Sequence, residues 1–522
     1  MKKKWFAVGI ILLFVGVIIA PTINFNTVKA QDTENPLPTR KENRLCFDVS
    51  TPGNDHRILG RFSPVSQRWI SKTHTGVIPD PAKSSLATEP PILKVSNYDG
   101  KTLYVGGNGP GNYSLIQRAI NAASPGDTVF VYTGTYRQNP IFINKSIRLL
   151  GENPNTTILE NRKQVFSNLP IIDISESDGV TVQGFTIRNR LEMTSIFDYV
   201  NGIEISTHHN NISTNKFENC TSGIHSSGNY NTFSDNMFKN DSRTGLYVIG
   251  AEYNHIAHNR FYGEGLVLLD SFQSIIEDNF VNDKPLVVLE DASDTVINEA
   301  GQVLLLNCQN ITVRGVNVSN TTIGIYLRNS KDCKIEENIV NGETEIGVFL
   351  EYSSHNTFSR NHIQNSDYGM LLGASLDNII TSNDIAQNNQ ASLFLSYSTD
   401  NIITNNTFRD NAYWSNYMGL VLTSYSDFTI VANNTFIHDC VFVYGSRGNQ
   451  FSNNTVNGYA LIYLEGASER VVDEVAGQVI LNECNNIDVR GQKNLTKTDV
   501  LIVSCLDCSI SNISTPSRFY GM

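Results

Sequence analysis

One arrangement of apolar and polar positions recurs along the middle of this chain, from Ile212 to Phe451. It consists of an apolar residue, two mostly polar residues, Asn, any residue, and a second apolar residue. Its copies are Ile212–Phe217, Phe233–Phe238, Ile256–Phe261, Phe358–Ile363, Ile380–Ile385, Ile403–Phe408 and Phe451–Val456. Short self-similar units are typical of solenoid proteins, in which each copy is one turn of a coil.

The repeat length favours strands over helices. Most successive Asn positions lie 20 to 23 residues apart, whereas a repeat built from a pair of helices needs more than about thirty residues. The residue three positions before the Asn is β-branched or aromatic in every copy, and apolar and polar residues alternate around it. Both features are typical of buried strands. We therefore predict an all-β coil in which equivalent strands of successive turns pair in parallel.

The recurrent Asn predicts a structural column along the coil. Asn tolerates the left-handed backbone of a sharp corner, and stacked amides can hydrogen-bond along a file. The predicted column comprises Asn215, Asn236, Asn259, Asn279, Asn338, Asn361, Asn383, Asn406, Asn434 and Asn454.

The N-terminus predicts export. Lys2–Lys4 precede the apolar run Trp5–Ala20, and small residues follow at Val28–Ala30. This order is typical of a secretory signal over residues 1–30, cleaved after Ala30; retention as a membrane tether is the alternative. Residues 31–97 are rich in Pro, Ser and Thr and predict an extended lead. We expect the protein outside the cell or at its surface.

The remaining residues, 98–522, predict a single coil that begins with a helix. Apolar residues at helical spacing predict this helix over Asn112–Ala123, with Ser114 and Gln117 as a capping box. We expect the helix to cover the open first turn. Residues 284–315 and 460–491 are duplicates of each other, and each predicts an acidic insertion after a strand. No second plug is recognisable after residue 491, so a partner at that end of the coil is one alternative.

The sequence around the helix resembles a known family. Tyr113–Asn139, Ile143–Asn153 and the Asn-rich turns that follow resemble right-handed parallel β-helix proteins of the pectin lyase type. More narrowly, they resemble the NosD-like group, whose domain is shared by carbohydrate-binding proteins and sugar hydrolases. The resemblance implies a β-helix with an N-terminal capping helix. The name NosD also implies delivery of copper to a nitrous oxide reductase.

The residues themselves do not predict a copper site. Copper prefers clustered His, Met and Cys, and the histidines are scattered through the repeat, although His255 and His258 could meet locally. We predict neither a metal site nor a cofactor, although calcium would accompany one kind of polysaccharide lyase. The net charge of −12 argues against nucleic acid as a partner.

The duplicated insertions supply carboxylates at matched positions. Polysaccharide hydrolysis needs an acid and a base across the sugar bond, and lyase chemistry needs a base. The candidates are Glu290 with Glu465, Asp294 with Glu469, and Glu299 with Glu474. The alternative is that these residues belong to solvated loops. No two of them stand out as an acid–base couple.

Aromatic residues predict a binding surface. Tyr352, Tyr397 and Tyr425 each lie six residues before the same apolar position of the repeat, and Tyr413 and Trp414 lie in a nearby insertion. Exposed rings stack on sugars; packing at a corner of the coil is the alternative. The sequence therefore favours an exported protein that binds polysaccharide or a surface glycan, or serves as a scaffold. The alternatives are a polysaccharide lyase or hydrolase and a copper accessory protein.

Overall fold

The computed structural model describes residues 100–138, 140–161, 169–190, 200–241, 243–342, 345–411, 418–491, 500–511 and 519–521. Over these residues the chain is a right-handed parallel β-helix. Successive turns place one strand in each of several sheets, and neighbouring strands of a sheet come from successive turns. This confirms the predicted fold class.

Two antiparallel hairpins divide the coil into three segments, and we name each sheet by its segment and its place in the turn. Sheet 1A holds Thr102–Val105, Thr128–Val131, Arg148–Gly151, Thr181–Gln183, Asn211–Ser213, Thr232–Ser234, His255–Ala257 and Ile275–Glu277. Sheet 1B holds Gly134–Arg137, Thr157–Glu160, Thr186–Arg188, Lys216–Glu218, Met237–Lys239, Arg260–Tyr262 and Phe280–Val281. Sheet 1C holds Ile141–Phe142, Ile172–Ile174, Ile203–Ile205, Ser222–Ser226, Thr244–Ile249 and Leu266–Leu269.

Segment 2 repeats the arrangement. Sheet 2A holds Val296–Ile297, Thr312–Arg314, Lys334–Glu336, Thr357–Ser359, Ile379–Thr381, Ile402–Thr404, Ile430–Ala432 and Gln450–Ser452. Sheet 2B holds Asn317–Ser319, Ile339–Asn341, His362–Gln364, Asp384–Ala386, Thr407–Arg409, Thr435–Ile437 and Thr455–Val456. Sheet 2C holds Lys284–Glu290, Gln302–Leu306, Ile323–Arg328, Ile346–Glu351, Tyr368–Gly373, Ala391–Ser396, Met418–Thr423 and Cys440–Tyr444.

Segment 3 is short. Sheet 3A holds Ser468–Val472, Asn485–Arg490 and Ser509–Ser511, and sheet 3C holds Tyr459–Glu465, Ala476–Asn482, Val500–Val503 and Phe519–Gly521. Most strands pair in register with their copies in the next turn, as Phe358, Ile380 and Ile403 do in sheet 2A. The register shifts at Met418–Leu420 and at Ala460–Leu461. Equivalent inward positions thus lie over one another, and the apolar residues form a continuous core within each segment.

The N-terminal helix is shorter than predicted and lacks the predicted cap. It spans Ile116–Ala122, and its N-cap is Leu115, whose side chain cannot accept a hydrogen bond. The proposed capping box of Ser114 and Gln117 is therefore wrong. Gln117 instead bonds to the strand Ile141–Phe142 of sheet 1C. Its Oε1 accepts from the Phe142 amide at 2.8 Å, and its Nε2 donates to the Phe142 carbonyl at 3.0 Å. The helix buries Ile116, Ala119 and Ile120 against the first turns.

The duplicated blocks contain the joints between segments. In each block the chain reverses through two residues with positive φ, Asn282–Asp283 and Asn457–Gly458. Positive φ at both central residues defines a type I′ hairpin turn, for which Asn-Gly is a strong signal. The extra residues that we expected to form acidic loops therefore include paired strands: Lys284–Glu290 extends sheet 1B, and Tyr459–Glu465 extends sheet 2B.

At each joint the two faces of the continuing sheet change roles: the face that is inward before the joint is outward after it. Directly opposite residues of an antiparallel pair lie on the same face, and Val281, in the core of segment 1, is opposite Lys284. Leu286 consequently joins the core of segment 1, whereas Val303 and Leu305 of the next strand belong to the core of segment 2. The face of sheet 2C that is outward in segment 2 thus continues the inward face of sheet 1B.

None of the described residues forms a helix that is long and apolar enough to span a bilayer. The predicted signal and lead, residues 1–97, lie outside the described residues.

Candidate functional site

The predicted Asn residues, which we call the Asn file, form two hydrogen-bonded runs inside the coil: Asn215 to Asn279 in segment 1 and Asn338 to Asn454 in segment 2. Asn361 Nδ2 donates to Asn383 Oδ1 at 2.9 Å, and Asn383 Nδ2 donates to Asn406 Oδ1 at 3.0 Å. The same oxygens accept from the backbone amides of the preceding turn; Asn361 N lies 2.9 Å from Asn383 Oδ1. All ten side chains are buried, so the file satisfies the corner amides where water has no access.

The left-handed residue is not the ladder Asn, and that part of the prediction is wrong. Positive φ occurs one position earlier, for example at Arg360, Ser382 and Asn405. These residues are exposed, so several side-chain types are accepted there. The Asn itself is required because its amide bonds to both neighbouring turns.

Further ladders occupy other corners of the turn. Asn210, Asn231 and Asn254 form one in segment 1, five positions before the predicted column. Another in segment 2 ends in a carboxylate: Asn388 bonds to Asn411, and Asn411 N donates to Asp439 Oδ1 at 2.8 Å. Burial raises the pKa of Asp439 to about 7. The sequence signal for these ladders was a second polar position at fixed offset from the first.

The matched acidic residues do not converge on one point. Glu290 accepts from the Gln273 amide at 2.8 Å, and Glu465 accepts from the Gly448 amide at 2.6 Å. These are equivalent corners in the last turns before the two joints. Burial raises the pKa of Glu290. Both carboxylates thus accept corner amides away from the Asn file, which ends at Asn279 and Asn454.

The other four insertion carboxylates lie on the surface. Asp294 accepts from Asn310 Nδ2 at 2.6 Å, which lowers the pKa of Asp294. Glu474 lies 3.2 Å from Arg470 Nη2. Glu299 and Glu469 are exposed. The structure brings none of these carboxylates face to face across a cleft.

Two of the predicted tyrosines do lie together. Tyr397 and Tyr425 occupy the same corner in successive turns, 43% and 67% exposed, with ring centroids 6.0 Å apart and planes tilted by 33°. Phe428 is also exposed beside them. We call Tyr397, Tyr425 and Phe428 the aromatic ridge. Positive φ at all three positions directs their side chains away from the coil.

Tyr352 is separated from the ridge, so the predicted continuous stripe is wrong at this point. The intervening turn carries Ala374 at the same corner. Tyr352 instead covers Arg328, whose Cζ lies 5.4 Å from the ring centroid. Arg328 is bonded to Asp270 and Glu351. Tyr413 and Trp414 lie outside the described residues.

A polar column on the outer face of sheet 1C was missed by the sequence reasoning. Asp173, Glu204, His225 and Tyr247 occupy the same register position in four successive turns. Glu204 Oε1 lies 2.5 Å from His225 Nδ1, and the His225 and Tyr247 ring centroids are 5.0 Å apart. Within the described residues, Asp173 Oδ1 is buried and has no hydrogen-bond partner. We call these four residues the carboxylate column.

The column was missed because the repeat is interrupted there. The spacing between Asp173 and Glu204 includes the insertion 191–199, so their common register cannot be read from the period. Adjacent strands lie about 4.8 Å apart, so the side chains of Asp173 and Glu204 are neighbours on this face.

The described residues do not fit a copper site. The histidines face carboxylates rather than other soft ligands: His255 lies 3.0 Å from Glu277, and His362 lies 2.9 Å from Asp384. Burial raises the pKa of Cys505 to about 11, which keeps this thiol protonated. Among the residues described, no group of three or more His, Cys, Asp or Glu side chains could hold a metal ion.

These features define a parallel β-helix protein that has aromatic and acidic side chains on its outer surface. A family model described as "Periplasmic copper-binding protein (NosD)" matches residues 120–293 and 287–466, about two thirds of the chain. The chain belongs to this family. No curated protein sequence matches it.

The solved structures to which this chain is similar are distant from it. The catalytic domain of a GH87 α-1,3-glucanase in complex with nigerose is 15% identical, with a TM-score of 0.27 over 68% of each chain. Tailspike protein 3 of bacteriophage CBA120 is 10% identical, with a TM-score of 0.31 over 72% of this chain and 64% of that one. The Dettilon tailspike protein is 12% identical, with a TM-score of 0.29 over 80% and 69%.

Proposed function

We propose that this chain is an exported surface protein that binds polysaccharide along the outside of its coil. The single observation that carries the proposal is the aromatic ridge, where exposed rings project from successive turns. A sugar ring presents C–H groups to an aromatic face, and hydroxyl and carboxylate groups at the edge orient it. Thr399 and Asp400, which are hydrogen-bonded to each other at 2.9 Å, lie beside Tyr397 and supply such groups.

The accessibility of the ring faces in the aromatic ridge supports the proposal that the ridge binds polysaccharide. In segment 1, Tyr230 and Tyr253 are also exposed, but their rings stack at 5.0 Å and 8°, with His209 stacked on Tyr230. Their faces are therefore covered by one another. The tilt between Tyr397 and Tyr425 leaves ring faces accessible to a chain that runs along the axis.

The experiment is affinity electrophoresis or a glycan array with uronate-containing and neutral polysaccharides. The Tyr397→Ala/Tyr425→Ala variant should bind at least tenfold more weakly, because stacking on the ridge is lost. Tyr230→Ala is the matched control, since it removes an exposed tyrosine whose ring faces are already covered. Equal binding by the wild type and the double variant would contradict the assignment of the ridge.

Hydrolysis of polysaccharide is a second candidate function, favoured by the carboxylate column. Asp173 and Glu204 lie opposite each other on adjacent strands, and two carboxyl groups that flank a glycosidic bond can cleave it. In this role Glu204, hydrogen-bonded to His225, and Asp173 would be the two carboxyl groups at the bond. Release of reducing ends that is lost in both Asp173→Asn and Glu204→Gln would support this function; loss in neither would exclude it.

Copper binding remains the alternative that the family description suggests. Its test is titration of the whole protein with Cu(I) in the presence of a competing chelator. Because the described residues do not fit copper, we expect no stoichiometric binding tighter than that of the chelator.

A further inference from the structure

The aromatic ridge continues onto the outer face of sheet 2A. Ile379, Ile402 and Ile430 occupy one outward register position in three successive turns. Ile379 and Ile430 are exposed, and Ile402 is half-buried. We call these three residues the isoleucine row. Because Phe428 lies at the corner that leads directly into the strand Ile430–Ala432, the ridge and the row form one apolar surface.

Hydroxyl groups border the isoleucine row on the side away from the ridge. Thr381 and Thr404 lie two positions after Ile379 and Ile402, on the same outward face of sheet 2A. Thr404 Oγ1 donates to Thr381 Oγ1 at 3.2 Å. Two successive outward residues of a strand are about 6.7 Å apart. A ligand that lies on the isoleucine row therefore has hydroxyl groups along one edge.

The charged side chains of this surface are all acidic. The three stretches that build it, 374–382, 397–405 and 425–433, contain no Lys, Arg or His and one Asp each. The three residues are Asp377, Asp400 and Asp427. Asp377 and Asp400 occupy the corner position of Phe428 in the two preceding turns. These two carboxylates thus lie between the ridge and the isoleucine row.

The adjoining turns do not reverse this negative charge. In the turn below, Arg360 is paired with two glutamates, and in the turn above, Arg447 is paired with Glu483 at 2.6 Å. His355 lies 3.8 Å from Asp377. The other two carboxylates have no basic partner among the residues that the structure describes.

We propose that the ridge and the isoleucine row together bind a neutral polysaccharide and select against uronate-containing chains. This inference rests on the proposed function of the ridge. The C–H faces of a neutral sugar pack on the rings and the isoleucines, and its hydroxyl groups meet the threonines and carboxylates. An anionic chain places like charges against the three carboxylates, which costs binding energy and rejects such a chain.

A protein partner fits this surface less well than a polysaccharide chain. Three turns rise about 14 Å at ~4.8 Å per strand, and the chain from Tyr397 to Thr404 spans at most about 23 Å. The surface therefore offers at most roughly 330 Å² at these strand dimensions, whereas a stable protein interface buries about 800 Å² per partner. A linear polymer needs only a narrow track.

Segment 1 lacks the isoleucine row. Tyr230 and Tyr253 are exposed at the corner that precedes sheet 1A, but Thr232 and His255 follow them at the positions that the row occupies in sheet 2A. The apolar surface in segment 1 consequently stops at the tyrosines. We therefore expect the neutral chain to bind at the ridge and not at this corner.

The first test compares polysaccharides of different charge on the full chain. Biolayer interferometry at low ionic strength measures binding to an immobilised β-glucan, xylan and galactomannan and to polygalacturonate. The wild type should bind at least one neutral polymer at least tenfold more tightly than polygalacturonate. The Asp377→Asn/Asp400→Asn/Asp427→Asn variant should bind polygalacturonate at least fivefold more tightly than the wild type, and the neutral polymer within twofold of it.

The second test asks whether the isoleucine row is part of the site. Ile430→Ser should weaken binding of the neutral polymer at least threefold, because an apolar contact is lost. Ile437→Ser is the matched control: Ile437 lies in the same turn and is equally exposed at 37%, but it belongs to sheet 2B. Equal affinities of these two variants would remove the row from the site. An unchanged unfolding midpoint shows that each variant folds.

The outcomes separate this proposal from the one on which it rests. If the wild type binds none of the polymers, the proposed function itself fails. If it binds polygalacturonate at least as tightly as every neutral polymer, and Tyr397→Ala/Tyr425→Ala abolishes that binding, then the ridge binds polysaccharide but the assignment of a neutral chain is overturned. Failure of the triple Asp variant to gain polygalacturonate binding would overturn the selection by charge.

Discussion

Sheets 1C and 2C occupy the same place in the turn, but their outer faces have opposite chemistry. Sheet 1C presents Asp173, Glu204 and His225 to the outside, whereas sheet 2C presents Phe349, Leu371 and other apolar residues in the corresponding direction. The inner faces of the two sheets are alike, since both are lined by branched aliphatic residues. The repeat therefore determines that the inner face is apolar. The chemistry of the outer face depends instead on which side of the joint the sheet lies.

The largest effect is expected when an acidic residue is placed on the outer face of sheet 2C and an apolar residue on the outer face of sheet 1C. Leu371→Asp should destabilise the protein by about 4 kcal/mol or more, because a charge replaces a fully buried side chain. Glu204→Leu at the corresponding position of sheet 1C should change the free energy of unfolding by less than about 1 kcal/mol, since Glu204 is one-third exposed. Urea denaturation measures both. Similar costs for the two substitutions would mean that the two outer faces are equivalent.

Removing one Asn of the file from each segment tests whether these residues stabilise both segments equally. Asn236 in segment 1 and Asn383 in segment 2 each bond to the turns on both sides. Truncation to Ala leaves buried amides without partners, so each variant should lose about 3 kcal/mol, and the two losses should agree within about 1 kcal/mol. Asn405→Gly is the control, since Asn405 is exposed and has positive φ; it should cost almost nothing. Unequal losses would show that the Asn file does not contribute equally to the stability of the two segments.

The elements that sequence could predict are those that repeat without interruption. The period, the parallel pairing and the ten-residue Asn file follow from spacing alone, because each turn has nearly the same length. The inner face was also readable, since a β-branched or aromatic residue recurs three positions before each Asn.

The elements that sequence reasoning missed depend on breaks in the repeat. The Asn457–Gly458 hairpin carried a readable turn signal, but a single dipeptide does not reveal that a sheet exchanges its faces. The carboxylate column is interrupted by an insertion, and Ala374 separates Tyr352 from the aromatic ridge. Both proposed surfaces thus include a break in the period, and sequence spacing gives no register there.

The corner ladders of both segments contain a buried carboxylate, Asp241 in segment 1 and Asp439 in segment 2, and pH should reveal the contribution of Asp439. The ladder of Asn388 and Asn411 ends in Asp439, and burial raises the pKa of Asp439 to about 7. The folded protein therefore favours the protonated carboxyl. Stability from this group is complete below the unfolded pKa of about 3.9 and is lost as the pH rises through 7. Asp439→Asn should abolish this dependence, because an amide cannot titrate.

The measurement is the free energy of unfolding of wild type and Asp439→Asn at pH 5 and pH 8. The difference between the two proteins should widen by about 2 kcal/mol between these values, in favour of the variant at pH 8. Asp400→Asn, an exposed carboxylate at another corner of segment 2, is the control and should track the wild type. A constant difference for Asp439→Asn would mean that Asp439 is ionised in the ladder, and that its charge is balanced by the two hydrogen bonds that Asn411 donates to it.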